Sequence, residues 1–171
     1  MIFAFILELI VLIIAVWLIT FLSTLLHELG HALAYMLSTG GRRWHIRVGS
    51  GKRLLETKAL TVKPMVFDGE FEPAEDRIDS KAKLIATLAG GPAVSLVLVV
   101  VLLILRYGGI SFSSDIFAAG AISSVISYAL YCNVFILVLS LIPGHYFFGE
   151  IKGMETDGMK ILSAAKDKGQ P

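Results

Sequence analysis

From Ile2 to Leu37 the chain runs for 36 residues without a proline and with only two charged side chains, Glu8 and Glu28. No soluble fold has a use for a stretch this apolar and this long. A helix crossing a hydrocarbon core of roughly 30 Å needs about 20 residues. At about 1.5 Å per residue the block makes a helix roughly 54 Å long, so it must tilt, protrude or break near Gly30. No turn signal divides it into two spans, and one long helix is expected.

Two further apolar runs follow, Leu84 to Leu105 and Ile116 to Ile142, the latter stopped by Pro143. A hydrophobic content of 56% and a mean hydropathy of +0.76 come from these blocks, whereas soluble domains stay near about half apolar with the residues dispersed. The expected fold class is mainly α: a polytopic membrane protein with three core helices, over about 2–37, 84–105 and 116–142. The net charge of +1 gives no electrostatic case for nucleic acid. The single cysteine, Cys132, lies in an apolar block and excludes an intramolecular disulfide. No Lys or Arg precedes Arg42, so the first block lacks the basic start of a signal peptide and is expected to persist in the mature protein.

Basic residues set the orientation. Ten Lys or Arg lie between Gly40 and Lys83 and four follow Pro143, against none from Tyr107 to Asp115. The positive-inside rule then assigns 40–83 and 144–171 to the cytoplasm and the N-terminus to the outside. Within 40–83, Trp44, Ile46 and Val48 alternate with His45 and Arg47, and Leu60 and Val62 with Thr61 and Lys63. Period-two alternation predicts two strands, a small hairpin or sheet between the first two spans. The acidic stretch from Phe67 to Asp79 is expected to be a loop.

His27-Glu28-Leu29-Gly30-His31 carries the chemistry. Histidines four apart share a helical face and can grip one Zn²⁺, with Glu28 placed as a general base towards water activated by the metal. Ionisable groups inside an apolar span cost about 2.5–3.5 kcal/mol each on insertion scales and mark function. A catalytic zinc takes three protein ligands. Ala34 and Leu37 stand where the extensions of soluble zinc proteases place Gly and a third His, so the third ligand must come from farther along the chain. His145, Glu150 and Asp157, all after the last span, are the candidates.

An H-E-x-x-H inside the first span, Gly91-Pro92-Ala93-Val94-Ser95 in the second, Ser140-Leu141-Ile142-Pro143 ending the third and Asp157-Gly158 after it together resemble the site-2 protease family. These are intramembrane zinc metalloproteases, and the likeness is to a small form without a PDZ domain. The resemblance covers nearly the whole chain. It implies that His27, His31 and Asp157 bind one catalytic zinc and that Glu28 is the catalytic base. It also implies a single membrane-embedded domain over 1–171, in a cell membrane of prokaryotic type with the site towards the cytoplasm. The implied partners are the lipid bilayer and a membrane-anchored protein cut in or near its transmembrane segment. Ser95 and Ser140 replace asparagines of the family pattern, and the Pro143-to-Asp157 gap is longer than in its compact form. Asn133, seven residues before Ser140 and on the same helical face, is a candidate for the missing amide. Two other readings compete: a catalytically silent regulator that keeps the fold, and a metal transporter using the histidines in transit.

Overall fold

The computed structural model describes residues 2–108 and 116–166, so most of the connection between the second and third expected spans, and the end of the tail, lie outside it. The first apolar block is one continuous helix, α1 (Ile2–Thr39), of 38 residues and about 57 Å. It does not break at Gly30. The second, α2 (Lys81–Tyr107), starts three residues before its apolar run because the Ser80 hydroxyl caps it, accepting from the Lys83 amide at 3.4 Å. The third is α3 (Ile116–Leu141), and a short amphipathic helix, α4 (Asp157–Lys166), follows. Among the described residues, three helices are long and apolar enough to cross a membrane.

Glycine sets how α1 meets α2. A Cβ on Gly30 would strike the Gly90 carbonyl, and one on Gly90 would strike the Gly30 carbonyl and the Ala34 methyl. Only bare backbone lets the two axes come this close. The Gly90-Gly91-Pro92 triplet therefore packs helices together and does not interrupt α2. Pro92 merely lacks the N–H that would otherwise bond the Leu88 carbonyl.

The segment between α1 and α2 forms a four-stranded sheet in the order β2-β3-β1-β4. Its strands are β1 (Trp44–Ser50), β2 (Leu55–Glu56), β3 (Leu60–Val62) and β4 (Met65–Pro73). Two expectations need correction. The predicted strands β1 and β3 are neighbours but run parallel, so they are not a hairpin. The acidic stretch taken as a loop instead opens with most of β4, antiparallel to β1. Its acidity is consumed by pairing, because Arg47 on β1 faces Glu70 across the ladder and binds it at 2.9 Å, with Asp68 at 3.2 Å.

Ile46, Val48 and Val66 are buried with Ala32 of α1, and Trp17, Phe21, Leu25 and Leu29 pack around them. The Trp17 indole donates to the Pro64 carbonyl at 2.7 Å and the Thr24 hydroxyl to the Val66 carbonyl at 3.1 Å. The sheet thus lies along the flank of α1 and not beyond its end. The chain after α3 folds back onto this sheet: the Glu150 amide donates to Asp68 at 3.1 Å, and the Glu150 carboxylate pairs with Lys63. Segments 40–80 and 144–166 therefore pack against one another beside α1.

Candidate metal centre

Three side chains from two distant parts of the chain converge where α1 crosses α2. His27 and His31 lie one helical turn apart on α1, with their Nε2 atoms 3.3 Å from each other. Asp157, the first residue of α4, places Oδ2 at 3.5 Å from His27 Nε2 and 3.4 Å from His31 Nε2. All three residues are buried, and among the described residues they form the one cluster able to hold a metal ion.

Each ligand is oriented from behind. His31 Nδ1 lies 2.8 Å from the Thr87 carbonyl. A carbonyl only accepts, so the ring must carry its proton on Nδ1 and present the Nε2 lone pair to the centre. His27 Nδ1 is 2.9 Å from the Ser95 hydroxyl, a contact that holds the orientation of that ring. Ser95, fully buried, thus backs the His27 ring from α2.

Asp157 is delivered by a tight junction between α3 and α4. The Thr156 hydroxyl donates to the Ile142 carbonyl at 2.8 Å and accepts from the Met159 amide at 3.2 Å, tying the end of α3 to the start of α4. Gly158 touches the Leu141 backbone so closely that any Cβ would collide with it. The Asp-Gly pair therefore divides its labour: the glycine permits the approach and the aspartate uses it. The N-terminus of α4 also favours a carboxylate electrostatically.

Gly91 leaves the central space open. A Cβ there would run into His31 Nε2 and come within 2.7 Å of His27 Nε2. Two imidazoles with converging lone pairs, a buried carboxylate and a cradle that a methyl would fill are together the arrangement of a cation site. Buried charge of this kind is tolerated when it is paired or coordinates metal.

Glu28 belongs to the same chamber but not to the ligand triangle. No hydrogen bond engages its carboxylate among the described residues. It lines, with His31 and Asp157, a cavity of about 100 Å³, roomy enough for water. Gly69 of β4 passes directly over it, and a Cβ there would meet Glu28 Oε1 at 2.5 Å. Tyr146 lines the cavity as well. Burial pushes its phenol up, and the neighbouring Asp157 and Glu28 carboxylates push it further, so it stays a donor throughout the ordinary pH range.

Of the residues singled out in the sequence, His27, Glu28, His31 and Asp157 are brought together. His145 and Glu150 are not. His145 forms an isolated β-bridge with Glu155, and Glu150 is held by Lys63 and the Gly51 amide, contacts that keep its carboxyl below its usual range. Asn133 is buried but donates to Ser23 and the Ala129 carbonyl, away from the ligands, so it does not replace a missing amide at the centre. Ser140 borders a second, smaller cavity with His27 and Glu28. Thr87, Gly69, Tyr146 and Lys160, which also lines the main cavity, carry no signal in the one-dimensional pattern. Thr20, Ser23 and Thr24 do: they continue the spacing of His27 and His31 backwards along α1 as a buried polar stripe.

No family model, curated protein or solved structure matches this chain. Fold and site together define a class: a helical protein with three membrane-length apolar helices and a candidate metal centre of two imidazoles and one carboxylate beside an unengaged glutamate.

Proposed function

We propose that the chain is a zinc-dependent intramembrane endopeptidase of the site-2 protease type, cutting a membrane-anchored protein in or beside its transmembrane segment. The observation that carries this reading is the ligand triangle with Glu28 next to it. A tetrahedral zinc with bonds of about 2.0–2.2 Å needs donor atoms about 3.3–3.6 Å apart, and the three separations of 3.3, 3.4 and 3.5 Å fall in that range. Mixed nitrogen and oxygen donors suit zinc, whereas Mg²⁺ and Ca²⁺ ask for oxygen throughout.

Zinc, when bound, acts as a Lewis acid towards water and the scissile carbonyl. The chain's own residues supply the rest. His27, His31 and Asp157 hold the ion, with Ser95 and Thr87 keeping both rings aimed. Glu28, facing the water-sized cavity, takes the proton from the attacking water and passes it to the leaving amine. Tyr146 offers an O–H to the chamber in which the carbonyl oxygen develops charge.

Substrate must arrive as an extended strand, because a helical peptide hides its amides. β4 is an edge strand whose face passes over Glu28 at Gly69, so it is suited to take a peptide by β-augmentation near the base. The exposed Leu54, Leu55, Met65 and Phe67 on the rim of the sheet are those expected where a sheet touches lipid. The basic content of 40–83 and 144–171 supports a cytoplasmic position for the sheet and α4.

Purified Glu28→Gln protein should bind one zinc per chain and cleave no membrane-anchored substrate that the wild type cleaves. Equal cleavage by both would remove the base from the mechanism, and a wild type that binds zinc without cleaving would favour a silent regulator.

A further inference from the structure

Residues 145–155, between α3 and α4, form a small hairpin against the cavity at Glu28. His145 bridges Glu155, the Tyr146 amide donates to the Met154 carbonyl at 2.9 Å, and the Gly153 amide donates to the Tyr146 carbonyl at 2.8 Å. Tyr146, Ile151, Met154 and Glu155 of this hairpin supply part of the cavity wall. Ile151 also lines the smaller cavity of about 40 Å³ beside His27 and Glu28.

Neither space holds a peptide. A cavity of about 100 Å³ takes water, whereas sites for organic ligands measure about 300–1,000 Å³. A substrate reaches Glu28 only if part of the wall moves. The helices are poor candidates, because α1 and α2 are locked at Gly30 and Gly90 and the start of α4 carries Asp157. The hairpin is a good one. Of residues 145–155 only Ile151 is buried, and segments with little buried surface open at low cost.

Stem and tip are held differently. At the stem the Thr156 amide donates to the Gly144 carbonyl at 3.0 Å, and the Gly144 amide donates to the Thr156 hydroxyl at 3.2 Å. That hydroxyl also ties α3 to α4, so the stem belongs to the junction that delivers Asp157. The tip is fastened to the sheet by polar contacts centred on Glu150. Its carboxylate pairs with Lys63 and accepts from the Gly51 amide at 3.1 Å, while its own amide donates to Asp68 at 3.1 Å. Gly149, with φ +68°, lies so flat on Asp68 that a Cβ would come within 2.7 Å of its carboxylate. The Glu150 side chain is 40% exposed, and water replaces such contacts readily when they part.

We propose that residues 145–155 are a flap over the catalytic cavity, fastened at its tip by Glu150 and pivoting beside the Gly144–Thr156 stem to admit substrate. This rests on the proteolytic reading above and adds how the closed chamber opens. Lifting the tip withdraws Ile151 and joins the two small cavities beneath it. The pivot lies on the hairpin side of Thr156, so opening leaves Asp157 beside His27 and His31.

The test uses full-length Cys132→Ser protein in lipid nanodiscs, with Ile151→Cys placing one thiol under the flap. A buried thiol reacts with a water-soluble methanethiosulfonate only when the structure opens, so its labelling rate reports the open population. Adding Glu150→Ala should speed labelling about tenfold, the effect of losing a charge-assisted hydrogen bond, with zinc per chain unchanged. Lys63→Met should act in the same direction. Ala32→Cys, in the core between α1 and the sheet, is the comparison and should label equally slowly with and without Glu150→Ala. Equal rates at Ile151→Cys in all backgrounds would overturn the flap. So would a gain in rate that extends to Ala32→Cys or is accompanied by loss of zinc, because the whole domain would then have loosened. A wild type that binds zinc and cleaves nothing would count against the proteolytic reading alone, and the labelling rates would still decide the flap.

Discussion

Gly91→Ala separates the metal centre from the fold that carries it. On helix propensity alone the substitution should stabilise α2, by about 0.5–1 kcal/mol. Its new methyl, however, would lie 2.7 Å from His27 Nε2 and closer still to His31 Nε2, whereas ordinary contact begins at 3.4 Å. His27 would have to retreat by about 0.7 Å, and metal–ligand distances tolerate only about 0.2 Å. Moving a ligand that far should cost at least the 10–100-fold in affinity typical of lost ligand support, about 1.4–2.8 kcal/mol. The assay is zinc affinity by chelator competition in detergent, with circular dichroism to follow the helices. Helix content should match wild type while zinc affinity collapses. Gly120→Ala serves as the control, because nothing approaches its Cβ position within 4 Å. Wild-type zinc affinity in Gly91→Ala would refute the placement of the ion between the two imidazoles and α2.

Four other predictions follow from the same geometry. Asp157→Ala should lose zinc while His145→Ala retains it, read as metal per chain after dialysis. Ser95→Ala should free the His27 ring and weaken zinc about 10–100-fold, with Ser95→Asn restoring part of the loss if the site accepts an amide there. Gly158→Ala should weaken zinc as well, because the methyl forces α4 off the Leu141 backbone and drags Asp157 with it; a wild-type affinity would show that the junction is slack. Gly69→Ala should displace Glu28 and lower kcat by about 10²–10⁴-fold, the range for a lost general base, with bound zinc unchanged.

The helices were legible because bilayer length and an unbroken apolar run leave few alternatives, and α1 is one piece as expected. Strands β1 and β3 were legible from alternation, but alternation carries no direction, so their parallel pairing was not. β4 was hidden because Asp68, Glu70 and Glu72 look like a solvated loop. Only the register that sets Glu70 opposite Arg47 shows that the charge of Asp68 and Glu70 is used within the sheet. At the site, His27, Glu28 and His31 announce themselves by spacing. Asp157, His145 and Glu150 could not be separated by residue type, since what selects Asp157 is a junction made by Thr156 and Gly158 in three dimensions. Thr87 contributes a backbone carbonyl, a function any residue type could perform, and no sequence pattern could mark it.

Zinc K-edge X-ray absorption on the purified protein tests the central claim most directly. Four light donors at about 2.0–2.1 Å, two of them with imidazole scattering, together with loss of zinc in Asp157→Ala, are the predicted result. An all-oxygen shell, or an unchanged spectrum after that substitution, would contradict it.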